Sequence, residues 1–168
     1  MKILLFGKQR AGKDTVADYL VERYGFKKIP LAKMVYWIAK YLFDMQGKNR
    51  ELLINIGHKM REIDPEVFAK WVLRQSRSYS RVVVPDVRLP EEYLLLTNAG
   101  FIPIKVEADL QVRAIRPGYD PEFEDHYTET YVDKFDYDYL IENNVNDDYF
   151  ISLFSQVDNI VRTLREEG

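Results

Sequence analysis

Two patterns of apolar residues alternate along the chain, and their alternation predicts an α/β fold. Short apolar runs with the length of buried strands occur at 2–6, 26–29, 81–84, 101–106 and 137–141. Between and after them, apolar residues recur every three or four positions, which predicts amphipathic helices over 12–24, 31–43, 51–63, 65–75, 90–100, 110–116 and 150–164. Strands that alternate with helices are typical of a parallel sheet with helices on both faces. We therefore expect one α/β domain over residues 1–168, built on a parallel sheet of about five strands.

Two prolines set boundaries within this pattern. Asp64 followed by Pro65 is typical of a helix start, with the aspartate as N-cap and the proline in the first turn. Pro85 follows the run RVVV, and because proline cannot donate to a strand ladder, we expect the strand to end there. Asp86 would then lie directly beyond the strand, at the sheet edge where open α/β sheets bind ligands.

The charges are unevenly distributed, although the net charge is only −3. Residues 1–90 contain 18 Lys and Arg against 9 Asp and Glu, whereas residues 91–168 contain 6 against 18. The basic half suits either a small polyanionic ligand or an acidic face of the same domain. Residues 117–149, which we call the acidic segment, hold 11 of the acids and 6 of the 12 tyrosines. Part of this segment is expected to be a surface flap that either closes over a ligand or is a solvated loop.

The composition also excludes several classes of protein. The chain has no cysteine, which excludes a disulfide framework, a thiolate zinc site and a thiol nucleophile. No apolar run approaches the ~18–20 residues of a membrane span, and the stretch 1–6 is too short for a signal peptide. Net negative charge argues against binding polymeric nucleic acid. We expect a cytoplasmic protein with no membrane partner, for which a homodimer stays open.

The strongest motif is Gly7–Thr15, GKQRAGKDT, which reads G-x-x-x-x-G-K and stands between an expected strand and an expected helix. Glycine permits the backbone angles that turn successive N–H groups toward one phosphate, and the positive end of the following helix points at the same anion. Lys13 is placed to reach the β- and γ-phosphates of ATP. The expected ATP-binding residues are Gly7, Arg10, Ala11, Gly12, Lys13, Asp14 and Thr15.

Three residues are candidates for holding Mg²⁺ beside this loop. Asp14 stands where the consensus has a hydroxyl residue. Its carboxylate either ligates the metal, directly or through water, or is a first-turn acid favoured by the helix dipole. In the second case Thr15 supplies the hydroxyl oxygen. Asp86 follows an apolar strand expected beside the loop, where an acid either holds Mg²⁺ directly or through water or simply caps a turn.

Cationic side chains supply candidates for the acceptor and for transfer itself. Arg88 either grips an acceptor phosphate with both arms of its guanidinium or forms a surface ion pair with Glu91 or Glu92. Arg113 and Arg116 lie three apart on a short helix, where they either neutralise charge on a transferring phosphoryl group or are a solvated pair. Further candidates for binding the acceptor are Lys33, Arg61 and Asp64.

Taken with four further segments, the loop resembles one family. G-x-x-x-x-G-K-D-T near the N-terminus is similar to the phage-type deoxynucleoside monophosphate kinases, and the phosphomevalonate kinases of animals also use a Gly-Lys-Asp loop. The segments REIDPEVFAKWV (61–72) and RVVVPDVRLPEE (81–92) resemble the phage-type kinases more specifically. Weaker resemblances are HYTE (126–129) and DYLIENN (138–144). Pro85 departs from the small polar residue that the family pattern has before the aspartate.

The resemblance implies a three-layer α/β/α P-loop kinase fold with a mobile lid, which we expect within about residues 110–135. It also implies ATP- and Mg²⁺-dependent transfer of the γ-phosphoryl group to a deoxynucleoside monophosphate, so the expected partners are small nucleotides. Two alternatives stay open. One is a P-loop kinase of another phosphorylated acceptor, of the phosphomevalonate or dephospho-coenzyme A type. The other is a nucleotide-binding switch or NTPase without a small acceptor.

Overall fold

A computed structural model describes residues 1–144 and 150–166. Five strands form one sheet: β1 (Lys2–Phe6), β2 (Lys27–Lys28), β3 (Val82–Val87), β4 (Ile102–Glu107) and β5 (Tyr139–Glu142). Their order across the sheet is β2-β3-β1-β4-β5, and every neighbouring pair is parallel. The carboxyl ends of the strands therefore meet at one edge, and the loop after β1 lies beside the end of β3.

The helices follow the strands in the predicted order. The α-helices are α1 (Lys13–Tyr24), α2 (Lys33–Leu42), α3 (Arg50–Ile63), α4 (Val67–Ser76), α5 (Pro90–Asn98), α6 (Leu110–Ala114), α7 (Tyr127–Thr130) and α8 (Ile151–Glu166). Two 3₁₀ turns, Pro121–Phe123 and Tyr131–Lys134, flank α7. The predicted helix over 110–116 ends earlier, at Ala114. Among the helices of the described residues, none is long and apolar enough to cross a membrane.

Successive residues of β1 point to opposite faces of the sheet and enter two separate cores. Leu4 and Phe6 pack with residues from α2, α3, α4 and α5. Ile3 and Leu5 pack with residues from α1 and α8. All four side chains are fully buried, and each contributes about 1.5–3 kcal/mol to folding. The two cores confirm the predicted three-layer α/β/α architecture.

The prediction that β3 ends at Pro85 is wrong. The strand continues to Val87, and its pairing with β1 shifts: Leu4 lies opposite Val84, but Phe6 lies opposite Val87. One extra residue on β3 makes a β-bulge, which is one of the few places where a sheet tolerates proline. The bulge includes Asp86, the only residue of β3 that is not fully buried.

The predicted start of α4 at Pro65 is early by two residues, since the helix begins at Val67. Asp64 is the C-cap of α3, and its side chain accepts the Glu66 N–H at 3.0 Å. The backbone carbonyl of Asp64 accepts the Val67 N–H, also at 3.0 Å. Asp64 therefore forms the turn between the two helices without being the N-cap of the second.

The acidic segment is more ordered than a solvated loop in its described part. It contains α7 and both 3₁₀ turns, and it buries Glu129 and Val132. Its final residues, 145–149, lie outside the described residues. Ion pairs join it to the basic half of the chain: Glu124 and Asp133 to Lys8, Asp120 to Arg50, and Glu129 to Arg88. Part of the charge asymmetry therefore reflects complementary faces of the fold.

Candidate active site

The loop between β1 and α1 has the backbone of an anion-binding cradle. Gly7 has a φ of 138°, and a Cβ there would overlap the Val106 carbonyl oxygen of β4. Gly12 has a φ of 108° and precedes α1 without a side-chain cap, and a Cβ there would overlap the Asn143 side chain. Only glycine fits either position without strain. The first N–H groups of α1 have no capping side chain, which is the arrangement that binds phosphate at a helix N-terminus.

Lys13 lies at the start of α1 and folds back over the loop. Its ammonium donates to the carbonyl oxygens of Gly7 at 2.7 Å and Lys8 at 2.8 Å. Burial of the ammonium is the main reason that the pKa of Lys13 lies well below its ordinary value, and the nearby positive charge of Arg88 is the second. A buried cation short of anionic partners attracts negative charge, so this side chain is suited to a phosphate.

Asp86 lies at the end of β3, on the strand next to β1, as predicted. Its two carboxylate oxygens accept the backbone N–H groups of Leu31 and Ala32 at 2.8 and 2.9 Å, before the start of α2. Burial raises the pKa of Asp86 to about 6, although the two amide hydrogen bonds oppose the rise. The end of β1, where the loop of Lys13 begins, pairs with the end of β3, so Lys13, Asp86 and Arg88 lie at one edge of the sheet.

The other two metal candidates differ in their surroundings. The Asp14 carboxylate is 81% exposed and forms an ion pair with Lys28 at 2.7 Å. Thr15 lies in the first turn of α1, directly after Asp14. No group of three or more His, Asp or Glu side chains within residues 1–144 and 150–166 is arranged to hold a metal ion. Mg²⁺ in nucleotide sites typically needs only one or two protein ligands beside the phosphates, and Thr15 and Asp86 each have a side-chain oxygen of the kind that Mg²⁺ prefers.

Arg88 pairs with neither of the glutamates that its sequence neighbourhood offers. Its Nη1 contacts the carboxylate of Glu129, which lies on α7. Glu92 instead forms an ion pair with Arg61 at 2.7 Å and accepts hydrogen bonds from the backbone N–H groups of Arg88 and Leu89. Glu92 thus fixes the backbone after β3, and the Arg88 side chain turns toward the P-loop side of the site.

Arg113 and Arg116 both reach the loop from α6 and its end. Arg113 is buried and donates to the Gln9 carbonyl oxygen at 3.3 Å and to the Glu124 carboxylate at 2.6 and 2.9 Å. Arg116 donates to the Arg10 carbonyl oxygen at 2.6 Å and to that of Asn143 at 2.8 Å. Arg10 itself has a φ of 60°. The two arginines therefore hold the outer side of the loop, which no solvated pair would do.

The three remaining acceptor candidates lie on α2 and around α3. Lys33 is exposed at the start of α2, with its ammonium 5.9 Å from the centre of the Trp71 ring. Arg61 pairs with Glu92, and its guanidinium lies 4.8 Å from the Phe68 ring centre. Asp64 forms an ion pair with Lys70 at 2.9 Å, which lowers the pKa of Asp64. Of the three, only Arg61 is joined, through Glu92, to the backbone of Arg88.

Sequence reasoning missed several residues of this site. Asn143 donates to the Ala11 carbonyl oxygen at 2.8 Å and closes the loop from the β5 side. The Gln9 side chain forms two hydrogen bonds with the backbone of Asp120, at 2.7 and 3.1 Å. Glu129 contacts the loop and Arg88. Asn143 and Glu129 lie in the segments DYLIENN and HYTE, so the resemblance was a signal for both, although it gave them no role.

No family model and no curated protein sequence matches this chain. Solved structures do match: shikimate kinase from Acinetobacter baumannii in complex with shikimate has a TM-score of 0.55 at 16% identity, covering 99% of this chain and 93% of that chain. Deoxyadenosine kinase from M. mycoides with bound dATP has a TM-score of 0.54 at 16% identity, covering 98% and 100%.

The chain has the fold of the P-loop kinases. Shikimate kinase from Aquifex aeolicus agrees, with a TM-score of 0.51 at 15% identity over 99% of this chain and 98% of that chain. These matches cover both chains almost entirely, so the P-loop kinase fold extends from β1 to α8. The prediction of this fold from the loop and its flanking elements is confirmed.

Proposed function

We propose that this protein is an ATP-dependent kinase that transfers the γ-phosphoryl group to a deoxynucleoside monophosphate and produces the diphosphate. One observation carries the proposal: the loop that holds Lys13 lies beside Asp86 and Arg88 at the carboxyl ends of two adjacent strands. Lys13 serves the donor phosphates and Arg88 the acceptor. A phosphoryl group passing between them meets positive charge on both sides, which is the principal means of accelerating such transfers.

ATP binds along the loop in this proposal. The N–H groups at the start of α1 and the Lys13 ammonium hold its β- and γ-phosphates. Lys13 has to leave the Gly7 and Lys8 carbonyl oxygens to do so, and the phosphate oxygens replace them as acceptors. Arg113 and Arg116 keep the outer side of the loop in shape, and we propose that they also neutralise charge on the transferring group.

Magnesium fits the donor set of the site. Thr15 offers a hydroxyl and Asp86 a partly buried carboxylate, both hard oxygen ligands of the kind that Mg²⁺ prefers. Asp14 is the weaker of the original candidates, because Lys28 holds its carboxylate. Mg²⁺, when bound, neutralises negative charge on the phosphates.

The acceptor in this proposal carries an anionic group for Arg88. A monophosphate is already a nucleophilic anion at neutral pH, so it requires no general base. Arg61, Lys33 and Asp64 are proposed to contact the rest of the acceptor.

A different acceptor is the main competing proposal. The structural neighbours include a shikimate kinase and a deoxyadenosine kinase. Arg88 favours an acceptor with a phosphate or carboxylate over an uncharged nucleoside. Another phosphorylated acceptor, such as phosphomevalonate or dephospho-coenzyme A, satisfies the same requirement, and the resemblance of residues 81–92 argues against both. The other alternative, a nucleotide-binding switch without a small acceptor, leaves Arg88 without a ligand and is therefore disfavoured.

An acceptor panel tests the proposal. ADP formation from ATP and Mg²⁺ is followed with dAMP, dCMP, dGMP, dTMP, the four ribonucleoside monophosphates, deoxyadenosine, shikimate, phosphomevalonate and dephospho-coenzyme A. We expect turnover that depends on at least one deoxynucleoside monophosphate, with the matching diphosphate as product. Turnover with another acceptor alone assigns a different kinase, and tight ATP binding with a blank panel supports a switch.

A further inference from the structure

Glu129 joins the phosphate loop to the end of β3 through one carboxylate. Its side chain is 1% exposed. Oε2 accepts the backbone N–H of Gln9 at 2.5 Å, and Oε1 contacts Nη1 of Arg88. A carboxylate buried to this degree costs free energy unless it is paired, and here both partners come from parts of the chain distant from α7. Glu129 therefore fixes the distance between the loop and the Arg88 side chain.

The contact with Glu129 occupies only one arm of the Arg88 guanidinium. Among the residues that the structure describes, none accepts a hydrogen bond from Nε or Nη2 of Arg88, and 31% of the side chain is exposed. These two groups form an edge that binds a phosphate or carboxylate with two parallel hydrogen bonds. One arm of Arg88 is thus anchored while this edge stays open.

We propose that Glu129 is a positioning residue that holds the open edge of Arg88 toward the acceptor phosphate, at a fixed place relative to the loop. The proposal rests on the proposed function, because it needs an anionic acceptor. A free arginine side chain has to lose rotational freedom when it binds, and anchoring it beforehand removes that cost from acceptor binding. Because the Gln9 N–H binds the same carboxylate, Arg88 is also held at a fixed place relative to the loop that binds the donor.

Glu129 could only inhibit acceptor binding if it occupied the part of Arg88 that the acceptor phosphate uses. An internal anion that competes with the acceptor phosphate would have to bind the edge of Arg88 that the phosphate uses. Glu129 binds Nη1 and leaves the Nε and Nη2 edge open. The geometry therefore favours support of acceptor binding, and the two roles predict effects of opposite sign when the carboxylate is removed.

The acidic segment is attached to the loop by other contacts as well. The Gln9 side chain binds the Asp120 backbone through two hydrogen bonds, and Lys8 pairs with Glu124 at 3.5 Å. Glu129→Gln keeps the side-chain volume and an oxygen for the Gln9 N–H. We therefore expect this variant to leave the segment in place and to remove mainly the charge that anchors Arg88.

Steady-state kinetics of Glu129→Gln and Glu129→Ala give the first test, with Glu122→Gln as the matched control. Glu122 is an exposed carboxylate of the same segment. In Glu129→Gln we expect kcat/KM for the deoxynucleoside monophosphate to fall by about 10- to 100-fold, because the Arg88 side chain loses the ion pair that anchors it. KM for ATP and the melting temperature should stay close to the wild-type values. An unchanged or improved kcat/KM for the acceptor overturns the proposal.

A double-mutant cycle separates positioning from a structural role. If Glu129 acts through Arg88, adding Glu129→Gln to Arg88→Ala should lower the acceptor kcat/KM no further. A structural role lowers it by the same factor in both backgrounds, which overturns the proposal. Should Arg88→Ala fail to fold, Arg88→Lys serves instead, because lysine keeps the charge and lacks the two-armed edge.

Measuring the binding of the monophosphate by calorimetry tests the positioning role of Glu129 separately from the proposed function. A wild-type protein that binds a deoxynucleoside monophosphate without phosphorylating it contradicts the function alone. Weaker binding by Glu129→Gln then still supports positioning, and equal binding overturns it. A wild-type protein that neither binds nor phosphorylates any monophosphate contradicts both.

Discussion

Arg113 and Glu124 face each other in a two-armed ion pair, with Nη1 and Nη2 of the arginine donating to the carboxylate at 2.9 and 2.6 Å. Arg113 also donates to the carbonyl oxygens of Ala108 and Gln9. The same carboxylate lies 3.5 Å from Lys8. This pair therefore clamps the acidic segment to the loop and to the end of β4.

The clamp predicts a specific dependence of stability on pH. Hydrogen bonding to Arg113 lowers the pKa of Glu124 to about 2, from an ordinary value of 4.5. Because the folded-state pKa is the lower one, the stabilisation is fully present above pH 4.5 and is lost as the pH falls toward 2. Denaturant unfolding of the wild type and Glu124→Gln should show a stability difference that shrinks across this range. A difference independent of pH would contradict the ionised clamp.

Replacing Lys13 by methionine should abolish transfer and leave the fold intact. The ammonium contacts only loop carbonyl oxygens, so the core does not depend on it. Loss of a cation that stabilises developing charge lowers kcat by about 100- to 1,000-fold. A coupled assay of ADP formation checks the loss of transfer, and the circular dichroism melting curve checks that the fold is intact. Lys59→Met, at an exposed lysine, is the control. Wild-type turnover in the Lys13 variant would remove the P-loop lysine from the mechanism.

Arg88→Lys should impair acceptor use and spare ATP binding. Lysine keeps the charge but cannot offer two parallel hydrogen bonds to one phosphate. We expect kcat/KM for the monophosphate to fall by about 10- to 100-fold, and KM for ATP to change little. Exposed Arg77→Lys is the matched control. Equal losses for ATP and the monophosphate would mean that Arg88 does not distinguish the two substrates.

Gly12→Ala should weaken ATP binding. The residue has a φ of 108°, and the new methyl group would overlap Asn143, so the loop has to shift its N–H groups away from the phosphate. Strain of this kind corresponds to about 5- to 100-fold weaker binding. Gly25→Ala is the control, because Gly25 also has a positive φ, at the C-cap of α1, with open space around it. Titration calorimetry with ATP compares the two variants, and equal affinities would contradict the crowded loop.

The features that sequence predicted well are those encoded within short stretches. The strand, glycine loop and helix from Lys2 to Tyr24 follow one another, and their hydrophobic periods and glycines specify them locally. The sequence also predicted that the strand leading to Asp86 lies beside the strand that precedes the loop, and the pairing of β1 with β3 confirms this.

The features that sequence missed depend on distant contacts. Glu129 is one of many acids in the acidic segment, and only its position beneath the loop, 120 residues from Gln9, makes it different. Asn143 likewise reaches Ala11 across 132 residues. Pro85 misled the strand prediction because a bulge depends on how two strands pair, which the residue types alone do not specify.

The most direct test of the central claim follows the γ-phosphoryl group itself. ATP labelled with ¹⁸O in its γ-phosphoryl oxygens is incubated with Mg²⁺, the protein and the preferred deoxynucleoside monophosphate, and the products are weighed by mass spectrometry. We predict that the label appears in the β-phosphoryl group of the deoxynucleoside diphosphate and that Lys13→Met forms this product about 100- to 1,000-fold more slowly. Label found only in inorganic phosphate, or no product at all, would contradict the kinase assignment.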